Sequence, residues 1–105
     1  MHHDEAREQI TALLACDVRF EGHFDKCFSN LKPSQQEEIV EWVVCCRDKK
    51  ASPIQSKNDR ELIGFVKRIG SNVRALLTKK KNGYFIVLFL DKHKYYEEAM
   101  QKFGF

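Results

Sequence analysis

The chain has 105 residues, 43% of them hydrophobic, and a formal net charge of +3, which suits one domain around a single modest core and excludes two. No run approaches the roughly 20 apolar residues of a membrane span, and the first twenty residues are charged rather than signal-like, so an intracellular, cytoplasmic protein with no membrane partner is expected. Charge is divided: residues 1–48 hold ten acidic and five basic residues (net −5), residues 49–105 five acidic and thirteen basic (net +8), as in a second half that meets an anion.

In chain order, "DEAREQITALLA" places Ala6, Ile10, Leu13 and Leu14 on one helical face, with acidic residues in the first turn where the helix dipole favours them. "CDVRFE" alternates Val18 and Phe20 with Asp17 and Arg19 as a short strand does, and Phe24, Cys27, Phe28 and Leu31 then return to helical spacing. "KPSQQEEIVEWVVCCRDKK" predicts a helix opened by Pro33, with Ser34 and Glu37 spaced as a capping box and a stripe of Ile39, Val40, Val43 and Val44. Residues 47–60 are polar and contain Pro53, as a connecting loop does.

From there the period becomes two. "ELIGFVKRI" and "NVRALLTK" predict strands joined by the tight turn Gly70-Ser71-Asn72; Asn82-Gly83 predicts a two-residue hairpin turn into a third strand, "YFIVLFL". That strand is apolar on both faces, which suits a place inside the sheet with cover on each side. "HKYYEEAMQKF" closes the chain as a helix with Tyr96, Ala99 and either Met100 or Phe103 inward. The expected architecture is α+β: one domain over residues 1–105, in which a small antiparallel sheet packs against N-terminal helices and a short C-terminal helix follows, residues 1–16 forming an additional first helix.

Cys16, Cys27, Cys45 and Cys46 fit neither a disulfide framework nor a CxxC site, and with His23 they match no zinc spacing; they are expected to be reduced, mostly buried thiols, and no metal or cofactor is expected. His2-His3 is expected to be a frayed terminus. The common catalytic signatures are absent. What remains is cationic: Lys67 and Arg74, expected to share a sheet face across a three-residue turn, and the run Lys92, His93, Lys94, Tyr95, Tyr96. Fixed Lys and Arg donors stabilise the charge that builds on phosphoryl oxygens, His or Tyr can move a proton, and Tyr can stack on an unpaired base. Lys79, Lys80 and Lys81 at the hairpin tip can add a general positive field. A noncatalytic reading is a basic domain that binds nucleic acid through its sheet face, with Phe65 or Tyr84 stacking on bases.

The order of elements from Asp17 to Phe105, together with "VRF", "FDKCFSNL", "PSQQEEIVEWV" and "FVKRIGSNVRALLTKKKNGYFIVLFLDKHKYYEEAM", resembles the RelE/ParE toxin superfamily of toxin-antitoxin systems. The resemblance implies a RelE-like endoribonuclease toxin that cleaves mRNA in the ribosomal A site by attack of a ribose 2′-OH on the adjacent phosphate, held in check by a cognate antitoxin. It implies that Arg74 stabilises the phosphate, that Lys67 is general base or charge partner, that Lys92 or His93 holds the leaving side, and that Tyr96 or Tyr95 positions or stacks, with Arg68 and Lys94 adding charge. Where the RelE pattern has a second strand lysine this chain has Phe65, and the segment between basic cluster and tyrosine is shorter. The alternative is a noncatalytic protein of the same fold that binds DNA gyrase, RNA or an antitoxin.

Overall fold

A computed structural model describes all residues from Met1 to Phe105. Its elements are α1 (His3–Leu14), β1 (Arg19–Gly22), α2 (Phe24–Ser29), α3 (Pro33–Arg47), β2 (Ile54–Gln55), β3 (Leu62–Ile69), β4 (Val73–Lys80), β5 (Phe85–Lys92) and α4 (His93–Phe103). No helix is long and apolar enough to cross a membrane. The strands form one five-stranded sheet in the order β1-β5-β4-β3-β2.

The period-two segments give the β3–β4–β5 meander, antiparallel throughout. The apolar run of β5 lies second in the sheet, between β4 and β1, and β1 pairs with it in parallel, Phe20 opposite Leu88. Alternation sends Phe65, Ile69, Ala75, Leu77, Leu88 and Leu90 to one face, where they meet Ile10, Phe28, Ile39, Trp42 and Val43 of the three N-terminal helices. The other face carries Leu76 and Phe89, covered by Ala99, Tyr96, Met100 and Phe103 of α4. The sheet therefore needs apolar residues on both sides, which is why β5 shows no simple alternation.

Several local details depart from the sequence expectation. Pro33 lacks an N–H and has φ near the helical value, so it occupies the first helical position and moves the cap back to Lys32. Gln35, not Glu37, reaches back: its side-chain oxygen accepts the Lys32 N–H at 3.0 Å. The loop 47–60 contains the two-residue strand β2, paired with Ile63 and Gly64. Gly70 does take positive φ (+61°) in the β3–β4 turn, but neither Asn82 nor Gly83 does. The β4–β5 connection instead spans Lys81–Tyr84, with Gly83 N–H donating to Lys80 C=O at 3.1 Å and a register shift at Thr78/Lys79. His2 is no frayed residue: its ring accepts the Asp4 N–H at 3.1 Å and caps α1, while His3 Nδ1 lies 3.0 Å from Ser29 Oγ.

Candidate functional site

The β3–β4 register separates the two residues expected to act together. Lys67 lies opposite Ala75 and Arg74 opposite Arg68, so alternation puts Lys67 and Arg74 on opposite faces of the sheet. Lys67 points to the helical face, where its ammonium lies 3.0 Å from Glu38 of α3. The expectation of a shared face fails by one residue of register.

Arg74 instead belongs to a row across the sheet, Arg68–Arg74–Asp91, on the face covered by α4. Neither arginine has a carboxylate within ion-pair reach; Arg74 Nη1 donates to Val73 C=O at 3.0 Å and Arg68 Nε to Gly70 C=O at 3.4 Å. Tyr96, half-buried on α4, stands close enough to feel the Arg74 charge. Burial raises its hydroxyl above the ordinary tyrosine range and Arg74 opposes the shift, so at neutral pH it is a phenol that can donate. His93 opens α4, donates its backbone N–H to Asn72 C=O at 2.8 Å, and turns its ring to Glu97 at 3.2 Å.

The hairpin-tip lysines stand elsewhere. Six residue steps along β4, about 20 Å at roughly 3.3 Å each, separate Arg74 from Lys80, which is held by Asp59 at 2.6 Å. Lys79 lies over the Phe85 ring, 5.0 Å from its centroid, and Lys81 is exposed in the turn. Of the aromatics considered for stacking, Phe65 is core, and Tyr84 is exposed but lies in the connection between β4 and β5.

Beyond Asp91 the same row leads to residues that the sequence did not single out as a site. Asp91 is 2% exposed, and its carboxylate gathers four donors from two segments. Oδ2 accepts the His23 backbone N–H at 3.0 Å and lies 2.8 Å from His23 Nδ1; Oδ1 accepts the Lys92 N–H at 2.8 Å and lies 4.0 Å from Cys27 Sγ. A carboxylate against Nδ1 favours a proton on that nitrogen, and in the neutral ring Nε2 is then the acceptor. Gly22 makes the approach feasible. At φ +72° it takes a conformation that L side chains avoid, and a Cβ would stand 2.9 Å from the Phe89 ring and 3.0 Å from Asp91 Oδ2.

A cleft of about 260 Å³ opens over this pair, lined by His23, Lys26, Cys27, Asn30, Asp91, Lys92, Lys94 and Tyr95. Burial pushes the Cys27 thiol upward, with Asp91 adding to the shift, so it sits here as a neutral group and not a nucleophile. Tyr95 meets the His23 ring edge-on at 5.5 Å and carries Lys94 Nζ 4.7 Å from its own centroid. Lys26, Lys92 and Lys94 make no ion pair, so the cleft sets three cations against one carboxylate whose oxygens are already engaged. The structure thus brings Lys92, Lys94 and Tyr95 together with His23, and Arg68, Arg74 and Tyr96 together beside them. A single acidic residue closing an otherwise apolar strand was the available signal, but its partner lies 68 residues away. No family model matches the chain, and no match was found among curated proteins or solved structures.

Proposed function

We propose that the protein is a RelE-like toxin that cleaves translated mRNA by attack of a ribose 2′-OH on the adjacent phosphate, and that a small antitoxin neutralises it by covering the basic end of the sheet. The observation that carries this reading is the Arg68–Arg74 pair. Two arginines opposed across one ladder repel each other, and neither makes an ion pair even though Asp91 stands opposite Arg74 on the next strand, an arrangement that a bound phosphate would resolve. In the transition state the same donors would hold the charge that accumulates on the phosphoryl oxygens, and Tyr96 beside Arg74 supplies a neutral donor.

The noncatalytic alternative draws support from Lys67. A lysine engaged by Glu38 on the far face is no partner for Arg74, so the pair inferred from the resemblance does not assemble. Induced expression without a partner separates the two readings. Growth arrest with new 5′ ends that appear only in translated messages, and their loss with Arg74→Ala, is the result expected. Arrest with intact transcripts would favour a binding protein, and unchanged growth would count against both.

A further inference from the structure

Of the residues that the resemblance implicates, the lysine-lined cleft described above contains only Lys92, Lys94 and Tyr95, and its centre, His23 with Asp91, has no part in that scheme. We infer that this cleft binds a phosphodiester of RNA and that His23, oriented by Asp91, is the base that takes the 2′-OH proton. This deepens the RelE-like reading and its catalytic half rests on it; the binding half stands alone.

Three features point to a ligand. First, Asp91 Oδ2 accepts the His23 backbone N–H and lies 2.8 Å from its Nδ1, so the ring is held in place and the neutral tautomer with the proton on Nδ1 is favoured. Nε2 lies on the other side of that ring, whose side chain is 59% exposed, and makes no hydrogen bond within the chain. A buried carboxylate below and an open acceptor nitrogen above is the arrangement general-base chemistry needs. Second, the surroundings are cationic without being neutralised. Lys26 from α2 and Lys92 and Lys94 from the β5–α4 junction line the same cleft, and Asp91, the only acid among its lining residues, spends its oxygens on His23, Lys92 N–H and the Cys27 thiol. Third, the Tyr95 ring forms part of the wall against His23 and offers a face or edge to a base.

The reaction balances without a co-reactant. His23 Nε2 accepts the proton from O2′ as O2′ bonds to phosphorus. The P–O5′ bond breaks with its electron pair on O5′, which takes a proton from water; the imidazolium returns its own to solvent. The products are a 2′,3′-cyclic phosphate and a 5′-hydroxyl. Asp91 is a positioning residue that stabilises the imidazolium, and Lys26, Lys92 and Lys94 are phosphate contacts.

The test uses the full chain and two probes: inorganic phosphate, and an RNA dinucleotide whose 5′ nucleoside lacks the 2′-OH and so cannot be cleaved. Imidazole ¹⁵N resonances should show His23 protonated at Nδ1, and both probes should move Nε2, the dinucleotide at lower concentration; phosphate alone acting equally well would overturn the assignment to RNA. Lys92→Ala and Lys94→Ala should each weaken binding about two- to fivefold, and no movement at His23 with either probe would overturn the site. His23→Asn keeps a donor to Asp91 but has no basic nitrogen, so it should stay folded and lose about 10²- to 10⁴-fold in cleavage. Asp91→Asn should shift the proton to Nε2, visible in the same spectra. A wild-type chain that cleaves while His23→Asn cleaves equally would overturn the base and leave the RelE-like reading intact. A wild-type chain that binds the dinucleotide at His23 yet never cleaves translated mRNA would overturn that reading and the base together, and keep the binding site.

Discussion

Arg68 and Arg74 occupy directly opposed positions on β3 and β4, both on the face covered by α4, and neither makes an ion pair, although Asp91 stands on the other side of Arg74. Like charges so placed cost stability, about 0.2–1 kcal/mol. Arg68→Ala should therefore leave the protein as stable or slightly more stable in denaturant titration. Added sulfate or phosphate should raise the melting temperature of the wild-type chain, since a ligand bound only by the folded state stabilises it by mass action, and should raise that of Arg74→Ala less. Equal anion stabilisation of both chains would place the anion elsewhere.

Lys67 supplies the opposite case, a charged strand residue with a structural partner. Its ammonium lies 3.0 Å from Glu38, and both side chains are roughly a third exposed or more. Screening by solvent limits such a pair to at most about 1 kcal/mol. Lys67→Ala should lower stability by that much or less and, if the proposed RelE-like activity holds, leave growth arrest and transcript cleavage at wild-type level, whereas Arg74→Ala should abolish them. Loss of cleavage in a folded Lys67→Ala chain would reinstate Lys67 as a working residue.

These two residues also show where reading the sequence succeeds and where it stops. Period located all three strands of the meander and the closing helix, because burial of a two-sided sheet leaves a strong local pattern, as in Phe65, Ile69, Leu77 and Leu88, whereas turn chemistry held at Gly70 and failed at Asn82-Gly83. Register is another matter. A three-residue turn after Ile69 pairs Arg68 with Arg74, and one residue of slip would have placed Lys67 there and reversed every face. The His23–Asp91 contact was less legible still, because it joins a residue after β1 to the end of β5 through a parallel pairing that no local spacing encodes. Cap chemistry failed for a simpler reason: Pro33 takes the first helical position whatever serine follows it.

Gly22 links the fold to the cleft and can be tested alone. Positive φ and a Cβ contact of 2.9 Å with the Phe89 ring both oppose any side chain there. Gly22→Ala should cost roughly 1–3 kcal/mol and displace His23 from Asp91. The measurable result is a lower denaturation midpoint together with loss of the Nδ1-protonated His23 signal. A stable Gly22→Ala chain that retains that signal would show that the backbone can yield here without moving the ring.

The thiols carry the clearest dependence on pH. Burial pushes Cys46 from 9.0 up to about 12, and burial, then Asp91, raises Cys27. A thiol whose pKa is higher in the folded than in the unfolded chain adds stability that is fully present below the unfolded value and is lost as pH rises through the window between the two. For Cys46 that window is pH 9.0 to about 12, where stability should fall by about 1.4 kcal/mol per pH unit. Cys46→Ala should be less stable at pH 7, because a buried group is removed, but its stability should decline less steeply above pH 9. In the native chain at pH 7, a thiol reagent should reach the half-buried Cys16 and Cys45 and spare Cys27 and Cys46 until denaturant is added. Four thiols reacting at one rate in the absence of denaturant would mean that α2 and α3 open far more readily than their packing against the sheet requires.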